Sequence, residues 1–243
     1  MLDQTSGLDQ NSGRDDIIVK DAFFGQYPDF ERMQASYRGV GKTLVTLMKR
    51  TEGIGFKPQE VEIIERMFGA MSVVDHMIDI MKLEKSHIIE MVVNANSPAI
   101  SFNKSLSHLH QLIKKNGDYS AYLASATRAI SYSGNDSMED RHREALYLGK
   151  AIAMAVCKDD TPKRNRLIAD LGILTSIGSF VDDVMDYKKD EKDLSWATER
   201  MMAVVRNVRK LYATSEHANR YFITEALTGF TLYGRRLLRD SLK

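Results

Sequence analysis

Two pairs of aspartates carry the chemistry open to this sequence. Asp182 and Asp186 lie four residues apart in GSFVDDVMDYKKDEKD, and Asp75 and Asp79 repeat that spacing in GAMSVVDHMIDIMKLEK. On a helix, such a pair falls within about 40° on the surface and about 6 Å apart along the axis. Both pairs close apolar stretches. Leu167, Leu171, Leu174, Gly178, Val181 and Met185 recur at threes and fours along the later one, and Phe68, Met71 and Ser72 lie below the earlier one. Carboxylates near a helix C-terminus face the negative pole of its dipole, which costs energy unless a cation sits nearby. Hard divalent cations take carboxylate oxygens and water, and Mg²⁺ is usually completed by substrate phosphates. One pair on an exposed helix face would mean little. Two pairs, each embedded in an apolar helix, point to a metal-bridged diphosphate site above an apolar cavity.

The elements that must position these residues read as helices throughout. Residues 1–22, rich in Gly, Ser, Gln, Asn and Asp, read as a poorly ordered arm, which leaves 23–243 as one α-helical domain. Helical periodicity runs from about Pro28 to Lys49, where Gly39-Val40-Gly41-Lys42 either weakens the helix or lets another backbone approach. Pro58 suits a first helical turn, and the helix bearing Asp75 and Asp79 is expected to reach the high 80s. Asn94 to Pro98 breaks the chain, and helices follow over about 101–115, 119–132 and 138–157. The last of these puts Tyr147, Lys150 and Met154 on one side. Ser137 with Asp140 suits a cap, and Thr161 with Pro162 starts the second acid-tipped helix. Ser195 is the expected cap of a helix to about Thr214, and a last helix covers about 217–242.

Composition narrows the class. The chain has 243 residues, four prolines and a net charge of +1, so no global field favours nucleic acid. Cys157, the only cysteine, lies in an apolar run and excludes a disulfide framework or a thiolate metal site. No signal peptide and no apolar run long enough for a bilayer is visible, so a cytoplasmic protein without a membrane span is expected.

With these residues in place, the chain resembles the trans-isoprenyl diphosphate synthases of the class I isoprenoid synthase superfamily. Asp182-Asp183-Val184-Met185-Asp186, with the polar tail Asp190-Glu191-Lys192, is similar to the family's second DDxxD motif. Asp75-His76-Met77-Ile78-Asp79 sits where the first belongs, with histidine for the second aspartate. Gly39-Val40-Gly41-Lys42 sits at the family's Gly-Gly-Lys-Arg segment, and Lys150 at a diphosphate-binding lysine. These landmarks span residues 30–193, about two thirds of the chain. The resemblance implies an antiparallel helical bundle of the isoprenoid synthase type with a central apolar cavity, and a homodimer.

It also implies roles. Asp75, Asp79, Asp182 and Asp186 would hold Mg²⁺, and Lys42, Lys150 and Lys192 would bind an isoprenyl diphosphate. Phe68, Met71, Tyr147 and Phe180 are candidate walls for the prenyl chain, although ordinary core packing explains each as well. The bulk of Phe68 and Met71 suggests limited depth. His76 points about 100° from the Asp75–Asp79 line, so it is expected to meet a helix or a phosphate. Thr43 and Leu44 follow Lys42, and only Lys82 and Lys85 stand where the family has an arginine pair. Those arginines help to hold the homoallylic isopentenyl diphosphate, so the chain reads as a divergent prenyltransferase.

Three alternatives stand beside it. A class I terpene synthase would cyclise or quench the same cation without an acceptor. A non-catalytic partner subunit of a prenyl diphosphate synthase would need no turnover. Glu84-Lys85-Ser86-His87 and Glu139-Asp140-Arg141-His142 also match the Glu-x-x-His pattern of di-iron bundles, which would leave the aspartate pairs unexplained.

Overall fold

Short connections and close helix–helix contacts govern the architecture. The structure, a computed structural model, describes residues 30–94, 101–159, 161–187 and 191–214. Among these residues there are eight helices and no strand, so the chain is all-α. The helices are α1 (Phe30–Glu52), α2 (Pro58–Asp79), α3 (Lys85–Val93) and α4 (Ser101–Asn116), then α5 (Tyr119–Tyr132), α6 (Met138–Val156), α7 (Thr161–Asp186) and α8 (Leu194–Thr214). The arm expected over 1–22 and the helix expected over about 217–242 lie outside the described residues. No helix among the described residues is long and apolar enough to cross a membrane.

Local chemistry sets most of the boundaries. Pro58 opens α2, and the Glu60 carboxylate accepts the Lys57 N–H at 2.8 Å. Asp118 and Ser137 cap α5 and α6 through the N–H groups of Ala121 and Asp140, at 3.1 and 3.0 Å. Two expectations are corrected. The helix carrying Asp75 and Asp79 ends at Asp79, because Lys82 adopts φ 53° and Leu83 N–H turns back to the Met77 carbonyl at 3.0 Å. The C-cap itself is Ile80, in right-handed geometry, and the left-handed turn two residues on has lysine where glycine is usual. The cap of α8 is Asp193, whose carboxylate accepts the Trp196 N–H at 2.7 Å, rather than Ser195.

Glycines decide how two helix pairs approach. Those of α1 do not interrupt it, and Gly41 is where α2 comes close: a Cβ there would lie 3.0 Å from the Glu65 Cα and 3.2 Å from the Phe68 ring. Gly149 of α6 is closer still to α7, since a Cβ would lie 2.5 Å from the Gly172 nitrogen. Thr175 reinforces that contact by donating to the Ala145 carbonyl at 2.7 Å. The main core fills the space between α2 and its neighbours with side chains such as Ile63, Ile64, Val73, Leu109 and Ile152, none more than 1% exposed. Each such side chain contributes about 1.5–3 kcal/mol on burial. A second, smaller cluster joins Phe180 of α7 to Ala203, Val204 and Val208 of α8.

Candidate functional site

The acidic ends of α2 and α7 open on one cleft. Asp75 and Asp79, on successive turns of α2, line it together with Asp182 and Asp183 near the end of α7. The cleft holds about 680 Å³. Below it lies an apolar hollow of about 70 Å³, walled by Met67, Ala70, Met71 and Val74 of α2, facing residues of α5 and α6. Asp75 lines both spaces, at the mouth of the hollow.

This position is electrostatically uncomfortable for a carboxylate. Burial raises the Asp75 carboxyl from the usual range to about 7, and the charges of Glu144, Asp79 and Asp182 add to the rise while Arg141 opposes it. Among the described residues no ion pair engages Asp75 or Asp79. Their neighbours are spent differently. Asp183 accepts from Arg200 Nε at 3.1 Å and from Arg141 Nη2, in a pair where Arg200 is 2% exposed. Asp136 pairs with Lys192 and lends its carbonyl to Arg200 at 2.7 Å.

Hard oxygen donors that repel one another fit Mg²⁺, whose sites rely on one or two carboxylates with water and substrate phosphates completing the shell. Among the described residues no three or more His, Cys, Asp or Glu side chains cluster closely enough to hold a metal ion alone. The side chain of Asp186 lies outside the described residues, although α7 includes its backbone.

The other candidate residues divide. Lys192 and His76 line the cleft, and Met71 lines the hollow. Phe68 is buried at the α1–α2 contact instead, where it neighbours Gly41. Phe180 belongs to the α7–α8 cluster, and Lys42 is exposed on α1. Tyr147 stacks on Tyr132 at 5.9 Å and accepts from Arg128 at 2.9 Å, while Lys150 lines neither space. The reason lies in α6. Because Gly149 seats α6 against α7, the side that meets the hollow carries Glu144, Leu148 and Ala151, with Tyr147 about 60° and Lys150 about 120° around the helix from Glu144.

Sequence reasoning missed Arg141 and Trp196, which line the cleft, and Glu144; residues 133–137 read as a loop, but without a place at the site. Glu144, Leu148 and Ala151 do share helical spacing, which could have flagged the glutamate. The position of that loop over α2 needed tertiary contact to reveal it. Gly134, at φ 70°, lies over the end of α2 so tightly that a Cβ would come within 2.6 Å of Ile78 and 3.5 Å of Asp79 Oδ1. Lys85 holds that turn, donating to Asn135 Oδ1 at 2.9 Å and to the Ser131 carbonyl at 3.3 Å. Lys82 lines the cleft from its left-handed backbone position, and among the described residues no ion pair engages it.

No protein-family model, curated protein or solved structure matches this chain.

Proposed function

We propose that the chain ionises an allylic isoprenyl diphosphate with Mg²⁺ and transfers the prenyl group to an acceptor. The observation that carries this reading is the junction at Asp75, where an acidic cleft meets an apolar hollow. An isoprenyl diphosphate has the same two-part character, a charged head on a hydrocarbon tail. Asp75 and Asp79 from α2 and Asp182 from α7, with Asp186, would hold the metal. Bound there, it supplies Lewis-acid neutralisation of the diphosphate.

The chain's own residues do the rest. Lys82 offers positive charge to the diphosphate from the cleft wall, and Lys192 joins it when its pair with Asp136 opens. The hollow takes the prenyl tail and excludes water from the carbon left electron-poor. Met67 and Met71 are unbranched and adjustable, so a hollow that is narrow when empty widens around a chain at modest cost. Its depth from Asp75 to Met67 is about 12 Å at the helical rise, which favours short chains. A homodimer in the cytoplasm belongs to the same reading.

The test is turnover. Purified full-length chain with Mg²⁺ and geranyl, farnesyl or geranylgeranyl diphosphate, each with and without isopentenyl diphosphate, is assayed for pyrophosphate and for organic products. A longer diphosphate formed only with acceptor supports prenyl transfer. A hydrocarbon or alcohol without acceptor moves the reading to a terpene synthase, and no pyrophosphate above background removes it.

A further inference from the structure

Glu144 is a carboxylate in the wrong company for a purely structural role. It contributes to the lining of the apolar hollow beside Leu148 and Ala151, its side chain is 15% exposed, and it shares the mouth with Asp75. Arg141 fixes it there, donating from Nη1 to Glu144 Oε2 at 3.2 Å while its Nη2 is tied to Asp183. Unlike Asp75, Glu144 lines the hollow and not the cleft, so it borders the hydrocarbon part of a substrate rather than its phosphates.

We infer that Glu144 is the base that takes the terminating proton. This rests on the reading of the cleft as a diphosphate-ionising site. The C–O bond breaks and its electron pair leaves with the diphosphate, so the allylic fragment becomes a cation at the mouth of the hollow. A C–H bond on the carbon next to the cationic centre then breaks. Its electron pair forms the new C=C bond, its proton passes to a Glu144 carboxylate oxygen, and Glu144 returns that proton to solvent after product leaves. When the cation first adds to an acceptor double bond, the same proton loss follows from the adduct. A negative charge beside the hollow also stabilises the cation while it lasts.

Glu144→Gln keeps the shape and the Arg141 contact but removes the base, and Glu144→Leu matches the apolar walls should the glutamine variant fold poorly. Wild type and both variants are incubated with Mg²⁺ and geranyl diphosphate, with and without isopentenyl diphosphate, and pyrophosphate and organic products are quantified. The expected result is a fall of about 100-fold or more in deprotonated product, the scale of a lost general base, with water-captured alcohol in its place. Pyrophosphate release slows far less than that. An unchanged product mixture overturns the base role alone and leaves the cleft reading standing. An equal loss of pyrophosphate and product in a folded variant, or loss of the thermal shift produced by Mg²⁺, also overturns it, since Glu144 would then serve ionisation or metal. No pyrophosphate from the wild-type chain removes both.

Discussion

Asp183 and Arg200 form a buried ion pair, Oδ2 to Nε at 3.1 Å, directly beside Asp182, the aspartate proposed to hold the metal. Adjacent carboxylates therefore have different work: Asp183 ties α7 to α6 and α8, and Asp182 faces the cleft. Asp183→Ala leaves the Arg200 charge buried and short of its partner, at a cost of about 3–5 kcal/mol. Asp182→Ala, on an exposed side chain, is expected to change stability by less than about 1 kcal/mol and to abolish pyrophosphate release. Chemical denaturation and turnover assays on the two variants check the split, and equal destabilisation would contradict it.

Asp75 links pH, metal and stability. Its folded carboxyl titrates at about 7, above the unfolded value, so between about 4 and 7 the folded chain holds a proton that the unfolded chain releases. Stability without metal is accordingly lost as pH rises through that window. Asp75→Asn is expected to melt above the wild type at pH 7.5 without metal. Mg²⁺ is expected to raise the wild-type melting temperature, by an amount equivalent to about 2.7 kcal/mol at a hundred times its Kd, and to leave the variant unmoved. Thermal melts with Mg²⁺ and with EDTA measure both.

His110 produces the opposite slope. It is 5% exposed, its Nδ1 meets the Tyr119 hydroxyl at 3.1 Å, and burial, with Lys114 nearby, pushes it down to about 4. The unfolded chain binds the proton more readily, so this contribution is present above about 6.5 and lost as pH falls toward 4. In an Asp75→Asn background, melting temperature is expected to decline over that range, and adding His110→Gln should flatten the decline. A slope unchanged by the second substitution would assign it elsewhere.

Glycine substitutions should separate contact from conformation. Gly39 has no atom within 4 Å of a would-be Cβ, so Gly39→Ala should stabilise α1 by about 0.5–1 kcal/mol. Gly149→Ala gains the same helical preference but drives a methyl into the Gly172 backbone, and overpacking of this kind costs about 1–3 kcal/mol. Net destabilisation, with turnover reduced because α6 shifts, is the expected outcome. Equilibrium unfolding of both variants tests the contrast.

Met71 tests the hollow. Met71→Ala should cost about 2 kcal/mol and move substrate preference toward a longer prenyl chain. Competition between geranyl and farnesyl diphosphates reads the shift, and an unchanged preference would mean that the tail lies elsewhere.

The helices and their acidic ends were legible because periodicity is local. The starts of α5 and α6 follow from Asp118 and Ser137, whose side chains act within one turn. What escaped reading was rotational. Tyr147 and Glu144 are equally plausible inward residues until the approach of Gly149 to Gly172 sets which side of α6 turns in. Phe180 was legible as buried but not as belonging to a second cluster, because apolar character does not state which neighbour it meets. The end of α2 was overrun because a left-handed lysine carries no warning in its residue type.

The Lys85 contacts with Ser131 and Asn135 join stretches about fifty positions apart in the chain. The first turn of α3 is thereby fastened to the turn at 134–136, so the segment lying over Asp79 is anchored by a lysine that does not itself line the cleft.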